Sequence, residues 1–326
     1  MNLNFSAIKE SKNLLAFSSG IDSTALFFLL LNENIPFDIT IVNYNTREQS
    51  IEEVTYAKEL AEKYNKQIFI KNTKLESNSN FEKNARDIRY AFFEEIIEEN
   101  SYDTLITAHQ LNDKLEWFLM QLTKGAGLAE LIGFNEFEDK ENYRIYKPLL
   151  NVSKDELENY LKEQNIKYFY DESNSNEKYK RNYFRHNFSD KLINEFKDGI
   201  KNSFEYLQND LNSLNIKDKA IYKFQDLEIF ENKNDNNLNI RIIDTSLKKR
   251  GILLSKAARE EIFKQSELTI SHKINIAINK KYIYICPRCE VSMDKKFKEI
   301  CRITKVPKNI RAYLFENSIN PKDLVF

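Results

Sequence analysis

"LLAFSSGIDSTALFFLL", Leu14 to Leu30, is the stretch on which the fold turns. An apolar run of strand character stops at Ser18-Ser19-Gly20-Ile21-Asp22-Ser23, and an apolar run of helical length follows at once. A strand that ends in small residues and turns straight into a helix aims several backbone N–H groups at one point, and the helix dipole adds to their pull on an anion. Gly20 allows a close approach of backbone to ligand. The hydroxyls of Ser18, Ser19 and Ser23 can donate to phosphate oxygens. Asp22 is the unexpected member, because an acid beside phosphate repels it unless a cation lies between, and Mg2+ makes that placement sensible. The two commonest phosphate loops are excluded: there is no G-x-x-x-x-G-K-S/T, and no three glycines stand at G-x-G-x-x-G spacing. The competing reading is an ordinary strand–helix turn with Asp22 or Ser23 as N-cap.

Outward from this turn the first half of the chain alternates between two textures. Short β-rich runs stand at Leu14–Phe17, Phe37–Val42, Gln67–Ile70 and Thr104–Ala108. Longer amphipathic stretches lie between and after them, at Ser23–Asn34, Ser50–Tyr64, Phe81–Glu99 and Leu111–Thr123. The alternation predicts an α/β fold, a parallel sheet with helices on both faces. Ligands of such sheets collect at the carboxyl ends of the strands, where Ser18–Ser23, Asn43–Arg47 and Ala108–Asp113 fall. Gly125, Gly127 and Gly133 in "KGAGLAELIGF" read as a mobile loop; with Gly20 they make four of the six glycines. A helix is expected over Ser153–Asn165, followed by the polar and basic "DESNSNEKYKRNYFRHN", Asp171–Asn187. The expected organisation is a catalytic domain over 1–187, a helical linker over 188–215 and a small α+β domain over 216–326. That last domain should carry a helix at Ser255–Gln265 and strands at Ile274–Asn279 and Tyr282–Cys286.

The net charge of −1 on 326 residues hides an uneven distribution. Arg241 to Arg311 holds 18 Lys/Arg against 7 Asp/Glu, whereas Glu205 to Ile240 holds 4 against 7. A basic segment on a neutral chain suits a polyanionic partner, although a solvated lysine-rich surface would look the same. The first residues show no basic patch followed by a long apolar run, and no stretch approaches 18 uncharged apolar residues, so neither a signal peptide nor a membrane partner is expected. Three cysteines suit a reducing cytoplasm better than a disulfide framework. Cys286 and Cys289 form a single C-x-x-C, which with Cys301 and His272 is a weak zinc signal.

Residues Ser18–Ser23 resemble the S-G-G-x-D-S loop of the PP-loop ATP pyrophosphatases, with Ser19 in place of the first glycine. Four further stretches are similar, in order and spacing, to the tRNA(Ile)-lysidine synthases. "VNYNTREQSIEE" matches at Arg47, Ser50, Glu52 and Glu53 and departs at Asn43–Thr46. "NFEKNARDIRY" matches at Asn80, Glu82, Ala85, Arg86, Arg89 and Tyr90. "TAHQLNDKLEWFLMQLTKGAGLAEL" keeps His109, Asp113, Glu116, Lys124, Gly125 and Gly127 and departs at Gln110, Asn112 and Trp117. The last stretch carries Pro148–Leu150, Asp171–Asn174 and Tyr179–His186 of the family pattern. The resemblance spans about residues 12–187, with a weaker echo in "KVPKNIRAYL". It implies an adenine nucleotide alpha hydrolase-like PP-loop fold.

The residues also have readings of their own. His109 and Asp113 are i, i+4 and Asp113 and Glu116 i, i+3, so on a helix all three share one face, where they can hold Mg2+ or orient an amine. For isolated residues the alternatives are a satisfied core histidine and a solvated acidic face. Arg86 and Arg89 lie one turn apart and can grip phosphate or carboxylate, or pair along the helix with acids such as Glu82. Lys178, Lys180, Arg181 and Arg185 interleave with Tyr179, Tyr183 and Phe184. That pattern suits RNA with unstacked bases, or simply a basic helix covering the core.

The resemblance implies a ligase that uses ATP to adenylate C2 of the wobble cytidine in the CAU anticodon of tRNA(Ile). Free L-lysine then displaces AMP, leaving lysidine and switching decoding from AUG to AUA. It implies ATP held by Ser18, Ser19, Gly20, Ile21, Asp22 and Ser23, with Mg2+ on Asp22 and Asp113. Arg86, Arg89, His109 and Glu116 would position lysine or tRNA, and Lys180, Arg181, Arg185 and the basic C-terminal domain would hold tRNA. A homodimer is one oligomeric state the sequence allows. The rivals are a PP-loop tRNA thiolase, an NAD or GMP synthetase and a non-catalytic RNA-binding protein. A thiolase needs cysteines near its catalytic fold, and none precedes Cys286. The synthetases need neither a basic C-terminal module nor the Tyr179–His186 element.

Overall fold

Leu14 and Leu15 point to opposite faces of one strand and both are fully buried, which requires a sheet covered on both sides. In the computed structural model, which describes residues 3–45, 49–74, 81–170, 180–214 and 219–324, that strand is β1 (Asn13–Ala16). It lies inside a six-stranded sheet with β2 (Phe37–Asn43), β3 (Ile68–Asn72), β4 (Thr104–Ile106), β5 (Phe137–Asp139) and β6 (Arg144–Tyr146), in the order β3-β2-β1-β4-β6-β5. Every neighbouring pair is parallel except β5–β6. The expected α/β fold is the fold observed, and the antiparallel edge hairpin is an addition. Its strands are three residues each and too short to show a period.

The helices are α1 (Ile21–Asn32), α2 (Gln49–Lys63), α3 (Phe81–Asn100), α4 (Leu111–Leu122), α5 (Leu128–Ile132), α6 (Lys154–Glu163), α7 (Lys180–Phe184) and α8 (Asp190–Ser213). Leu15, Ile39, Ile41 and Ile106 meet Phe27, Leu30, Ala57, Leu60 and Leu157 of α1, α2 and α6 on one face. Leu14, Leu105 and Ile145 meet Phe92, Phe93, Ile96 and Ile97 of α3 on the other. The chain runs from β1 outward to β2 and β3, then crosses back to β4 on the far side of β1. The topological switch point therefore lies between β1 and β4, and their following loops border the crevice where ligands of such sheets bind.

The glycine-rich stretch expected as a loop contains α5. Gly133 ends it at φ +58, and a Cβ there would fall 1.9 Å from Trp117 Nε1. Between α7 and α8 the turn Arg185–Ser189 is π-helical. Ile193 and Phe204 of α8 pack on Leu111 and Leu115 of α4.

Contacts divide the chain into Met1–Ser213 and Leu214–Phe326, so the segment expected as a linker packs mainly within the first unit. The second unit holds β7 (Tyr222–Phe224), β8 (Leu227–Glu231), α9 (Asn236–Lys249), α10 (Lys256–Lys264), β9 (Glu267–Ile270), β10 (Ile274–Ile278), β11 (Tyr282–Pro287), α11 (Lys295–Ile303) and α12 (Arg311–Glu316). Its sheet is antiparallel throughout, in the order β7-β8-β11-β10-β9. Ile283 and Ile285 of β11 face α9 and α10, while Tyr284 and Cys286 face α11 and α12. Cys286 and Cys301 are buried in that second apolar cluster, and burial pushes the Cys286 thiol up to about 12. His272 sits in an exposed turn. No group of three or more His, Cys, Asp or Glu among the described residues is placed to hold a metal ion.

Candidate active site

At the end of β1 the chain turns through Ser18–Gly20 into α1. Ser18 N donates to Ser23 Oγ at 3.1 Å, and the two serine hydroxyls lie 3.0 Å apart. Ser19 adopts φ +60, the left-handed region that L-residues avoid. Two bonds hold it there: Phe169 N donates to Ser19 O at 3.0 Å, and Ser19 Oγ donates to Glu53 O at 2.7 Å. Gly20 has φ −77, which any residue can adopt, and a Cβ there would meet Ser18 Oγ at an ordinary 3.4 Å. The conformational demand of the loop thus falls on Ser19, and the Ser19 hydroxyl expected to face phosphate is turned into the protein. Gly20 is the N-cap of α1 and no side chain caps the helix, so the reading of Asp22 or Ser23 as N-cap does not hold. The amides of Ser19, Gly20, Asp22 and Ser23 have no acceptor among the described residues, while the Ile21 amide faces Phe169 O in the bridge that joins Gly20 to Phe169.

Asp22, in the first turn of α1, points into the switch-point crevice. Its Oδ1 is buried without a hydrogen-bond partner among the described residues. Burial, then the charge of Asp113, pushes its carboxyl up to about 7, against the pull of Lys154, Arg185 and Arg181.

After β4 the chain enters α4 through Gln110, whose side chain accepts from Asn112 N while Asp113 Oδ2 accepts from Gln110 N at 3.1 Å. This capping box explains the departure at Gln110. Asn112 is a junction: its Nδ2 donates to Asp190 Oδ1 at 2.7 Å, and its Oδ1 accepts from Lys154 N at 3.2 Å. Trp117 donates from Nε1 to Glu130 O at 2.9 Å, filling the space that Gly133 leaves.

Asp113 and Glu116 are buried and share two arginines. Asp113 Oδ1 accepts from Arg181 Nη2 at 2.9 Å and from Arg185 Nη2 at 3.0 Å. Glu116 Oε2 accepts from Arg185 Nε at 2.9 Å, and Oε1 from Arg181 Nε. Arg181 and Arg185, expected on the tRNA, are tied here to the acids. Burial works against the Asp113 charge, but Arg181, Arg185, His109 and the Gln110 amide together hold its carboxyl below the usual range. Burial lifts the Glu116 carboxyl, with the two guanidinium groups opposing.

His109 Nδ1 lies 3.0 Å from Thr107 Oγ1, and its ring packs 5.3 Å from Phe134. Burial lowers its imidazole to about 4, Asp113 opposing and Lys147, Arg181 and Arg86 reinforcing, so it is neutral at pH 7. Arg86 is exposed on α3 with its guanidinium 4.9 Å from the Tyr90 ring. Arg89 is exposed beside it, close enough for its charge to act on Tyr44. Lys180 Nζ lies 5.8 Å from the Phe184 ring. The structure thus gathers Asp22, His109, Asp113, Glu116, Arg181 and Arg185, with Arg86 in electrostatic reach; Arg89 and Lys180 stand apart. Arg47, Asn80, Asp171–Asn174, Lys178, Tyr179 and the side chain of Glu82 lie outside the described residues. The sequence reading missed Thr107, Phe169, Lys147 and Lys154. Phe169 carries no sequence signal, because its part is played by a backbone amide.

A PP-loop domain model matches residues 2–192, and with it goes the use of ATP. A tRNA(Ile)-lysidine synthase from Campylobacter jejuni (strain RM1221) is 47% identical over 321 residues, covering 98% of this chain and 97% of that protein. One from Helicobacter pylori (strain ATCC 700392 / 26695) is 42% identical over 318 residues, covering 94% and 90%. The chain belongs to the tRNA(Ile)-lysidine synthases. Among solved structures, a U34-tRNA thiolase from Methanococcus maripaludis with its 4Fe-4S cluster has a TM-score of 0.52 at 20% identity, covering 63% of this chain and 74% of that one; this likeness concerns the fold alone. Unlike the lysidine synthase pattern, this chain has Gln110, Asn112 and Trp117, and each has a structural partner in α4, α5, α6 or α8. No described helix is long and apolar enough to cross a membrane.

Proposed function

We propose that the loop after β1 holds the phosphates of ATP while the buried acids of α4 receive the amine of free lysine, so that lysine is joined to C2 of the wobble cytidine of tRNA(Ile) through an adenylated cytidine. The observation that carries this reading is the set of unbonded amides at Ser19, Gly20, Asp22 and Ser23, at the N-terminus of a 12-residue helix that carries Asp22 in its first turn. Adenylation converts a poor leaving oxygen into a good one, so the protein's work is alignment and charge compensation. Well-aligned reactants account for about 7–11 kcal/mol of barrier.

Mg2+ fits this site through Asp22, whose buried Oδ1 lacks a donor and whose carboxylate oxygen is a hard ligand. Bound there, the ion would neutralise phosphate charge. Asp113 would join it as a ligand once Arg181 and Arg185 release Oδ1, since both guanidinium groups bond that oxygen. Asp113 and Glu116 also match an ammonium group, which enters by taking the place of guanidinium donors. The neutral imidazole of His109, oriented by Thr107, serves as a hydrogen-bonding partner rather than a cation. The incoming amine must lose its proton before attack, and Glu116, lifted by burial, is the acid best suited to take it. Arg86 and Arg89 on the α3 surface, with Lys180, guide the RNA. The Leu214–Phe326 unit, basic from Arg241 to Arg311, holds tRNA away from the anticodon and distinguishes tRNA(Ile) from tRNA(Met).

The test is incubation with ATP, labelled lysine and both tRNAs. Label enters only the isoleucine species, with AMP and pyrophosphate released. Label in both tRNAs, or in neither, overturns the reading. ATP–pyrophosphate exchange that needs no RNA would mark a small-molecule synthetase, and no exchange at all a binding module.

A further inference from the structure

We propose that Lys154 is a further ATP-positioning residue, its ammonium reaching the phosphates held by the loop after β1; this deepens the reading above and rests on it. Lys154 is the first residue of α6, directly after the N-cap Ser153. A cation there faces the positive end of the helix dipole, so the helix gains nothing from it. Asp155 and Glu156, the residue types that suit this end, follow at once, and Glu156 closes a capping box with Ser153.

The position is set by α4 and α1. Lys154 N donates to Asn112 Oδ1 at 3.2 Å, and Leu111 N donates to Val152 O at 2.9 Å, which pins the start of α6 to the start of α4. Leu157 and Leu161 bury α6 in the same cluster as Ala25, Leu26 and Leu29 of α1. The first turns of α1, α4 and α6 therefore meet at the carboxyl end of the sheet, and the charge of Lys154 acts on Asp22 there. Arg181 and Arg185 are bonded to Asp113 and Glu116. The Lys154 ammonium makes no ion pair with a described carboxylate, although Glu156 pairs with Lys197 and Glu158 with Lys162. A half-buried lysine with no described ion pair, its charge felt at Asp22 and its helix starting at the same end of the sheet as the loop amides, matches a polyphosphate anion.

The test compares the full chain with Lys154→Gln and Lys154→Arg in tRNA-dependent ATP–pyrophosphate exchange, alongside equilibrium binding of ATP with Mg2+. Lys154→Gln raises KM for ATP and weakens ATP binding about 10- to 100-fold, as expected for loss of a charge-assisted hydrogen bond. KM for tRNA stays at the wild-type value, and Lys154→Arg recovers most of the loss. The melting temperature of Lys154→Gln is unchanged or higher, since a cation has left the positive end of a helix. Wild-type ATP affinity in Lys154→Gln overturns the proposal, as does equal loss in both variants accompanied by a lower melting temperature. A wild-type protein that performs no exchange overturns the parent reading and this one with it; wild-type exchange with an indifferent Lys154→Gln overturns this one alone.

Discussion

Replacing Asp22 by Asn should stabilise the folded chain while abolishing its chemistry. A carboxyl that titrates near 7 in the fold, against 3.8 when exposed, opposes folding once it is ionised. The full shift corresponds to about 4 kcal/mol at pH 8, and water reaching a half-buried group brings this to about 2 kcal/mol. The sign follows from the raised value: the penalty is absent below about pH 4, grows as pH rises toward 7 and is complete above it. Asp113, Lys154, Arg181 and Arg185 surround the group and are the same in both proteins, so the difference between them isolates Asp22. The assay is thermal unfolding of wild type and Asp22→Asn, without nucleotide and with chelator, at pH 8 and pH 5. About 2 kcal/mol raises Tm by about 4–8 °C for a unit of this size, and the gain is smaller at pH 5. Added ATP and Mg2+ stabilise the wild type only, and the variant releases neither AMP nor pyrophosphate while still binding tRNA. An Asp22→Asn protein no more stable than wild type at pH 8, or equally shifted at both pH values, would refute the reasoning.

Three further expectations concern the residues that shape the site. Ser19→Ala keeps the left-handed backbone and loses the 2.7 Å bond to Glu53 O, costing about 1–2 kcal/mol in urea unfolding, whereas Ser19→Gly relieves the backbone and stays within about 0.5 kcal/mol of wild type. Gly133→Ala drives a methyl into Trp117, costs about 2–3 kcal/mol and shifts the emission of the single tryptophan; adding Trp117→Leu recovers part of the stability. Asn112→Asp sets a carboxylate against Asp190 Oδ1, now 2.7 Å from an amide donor, and costs about 2–3 kcal/mol at pH 7. That last loss shrinks near pH 4, where one of the two acids protonates, and paired melts at the two pH values measure it.

The first-unit helices were legible because their apolar spacing is long and regular, and the helices α1 to α4 begin and end within about two residues of where periodicity puts them. The hairpin Phe137–Tyr146 and the strands Tyr222–Glu231 were not, since their short runs FED, RIY, YKF and LEIFE are broken by charged residues, unlike the uncharged NLLA and TLI of β1 and β4. In the site, the acids and arginines could be named from motif spacing. Their partners could not: Arg181 and Arg185 lie more than 60 residues from Asp113 and Glu116 in the chain.

What the sequence alone determined is the alternation of β1–β4 with α1–α4 and the small-residue turn at Ser18–Ser23, because both depend on neighbours within a few residues. Tertiary structure decided which groups of that turn face a ligand. Backbone bonds from Phe169 and to Glu53 hold Ser19 in a left-handed conformation and take its hydroxyl away from the crevice, leaving a row of amides. It also decided the charge states, since burial and guanidinium contacts set the carboxyls of Asp22, Asp113 and Glu116 apart. Desolvation and Coulomb forces act through space, and three similar acids become different groups only once the chain has folded around them.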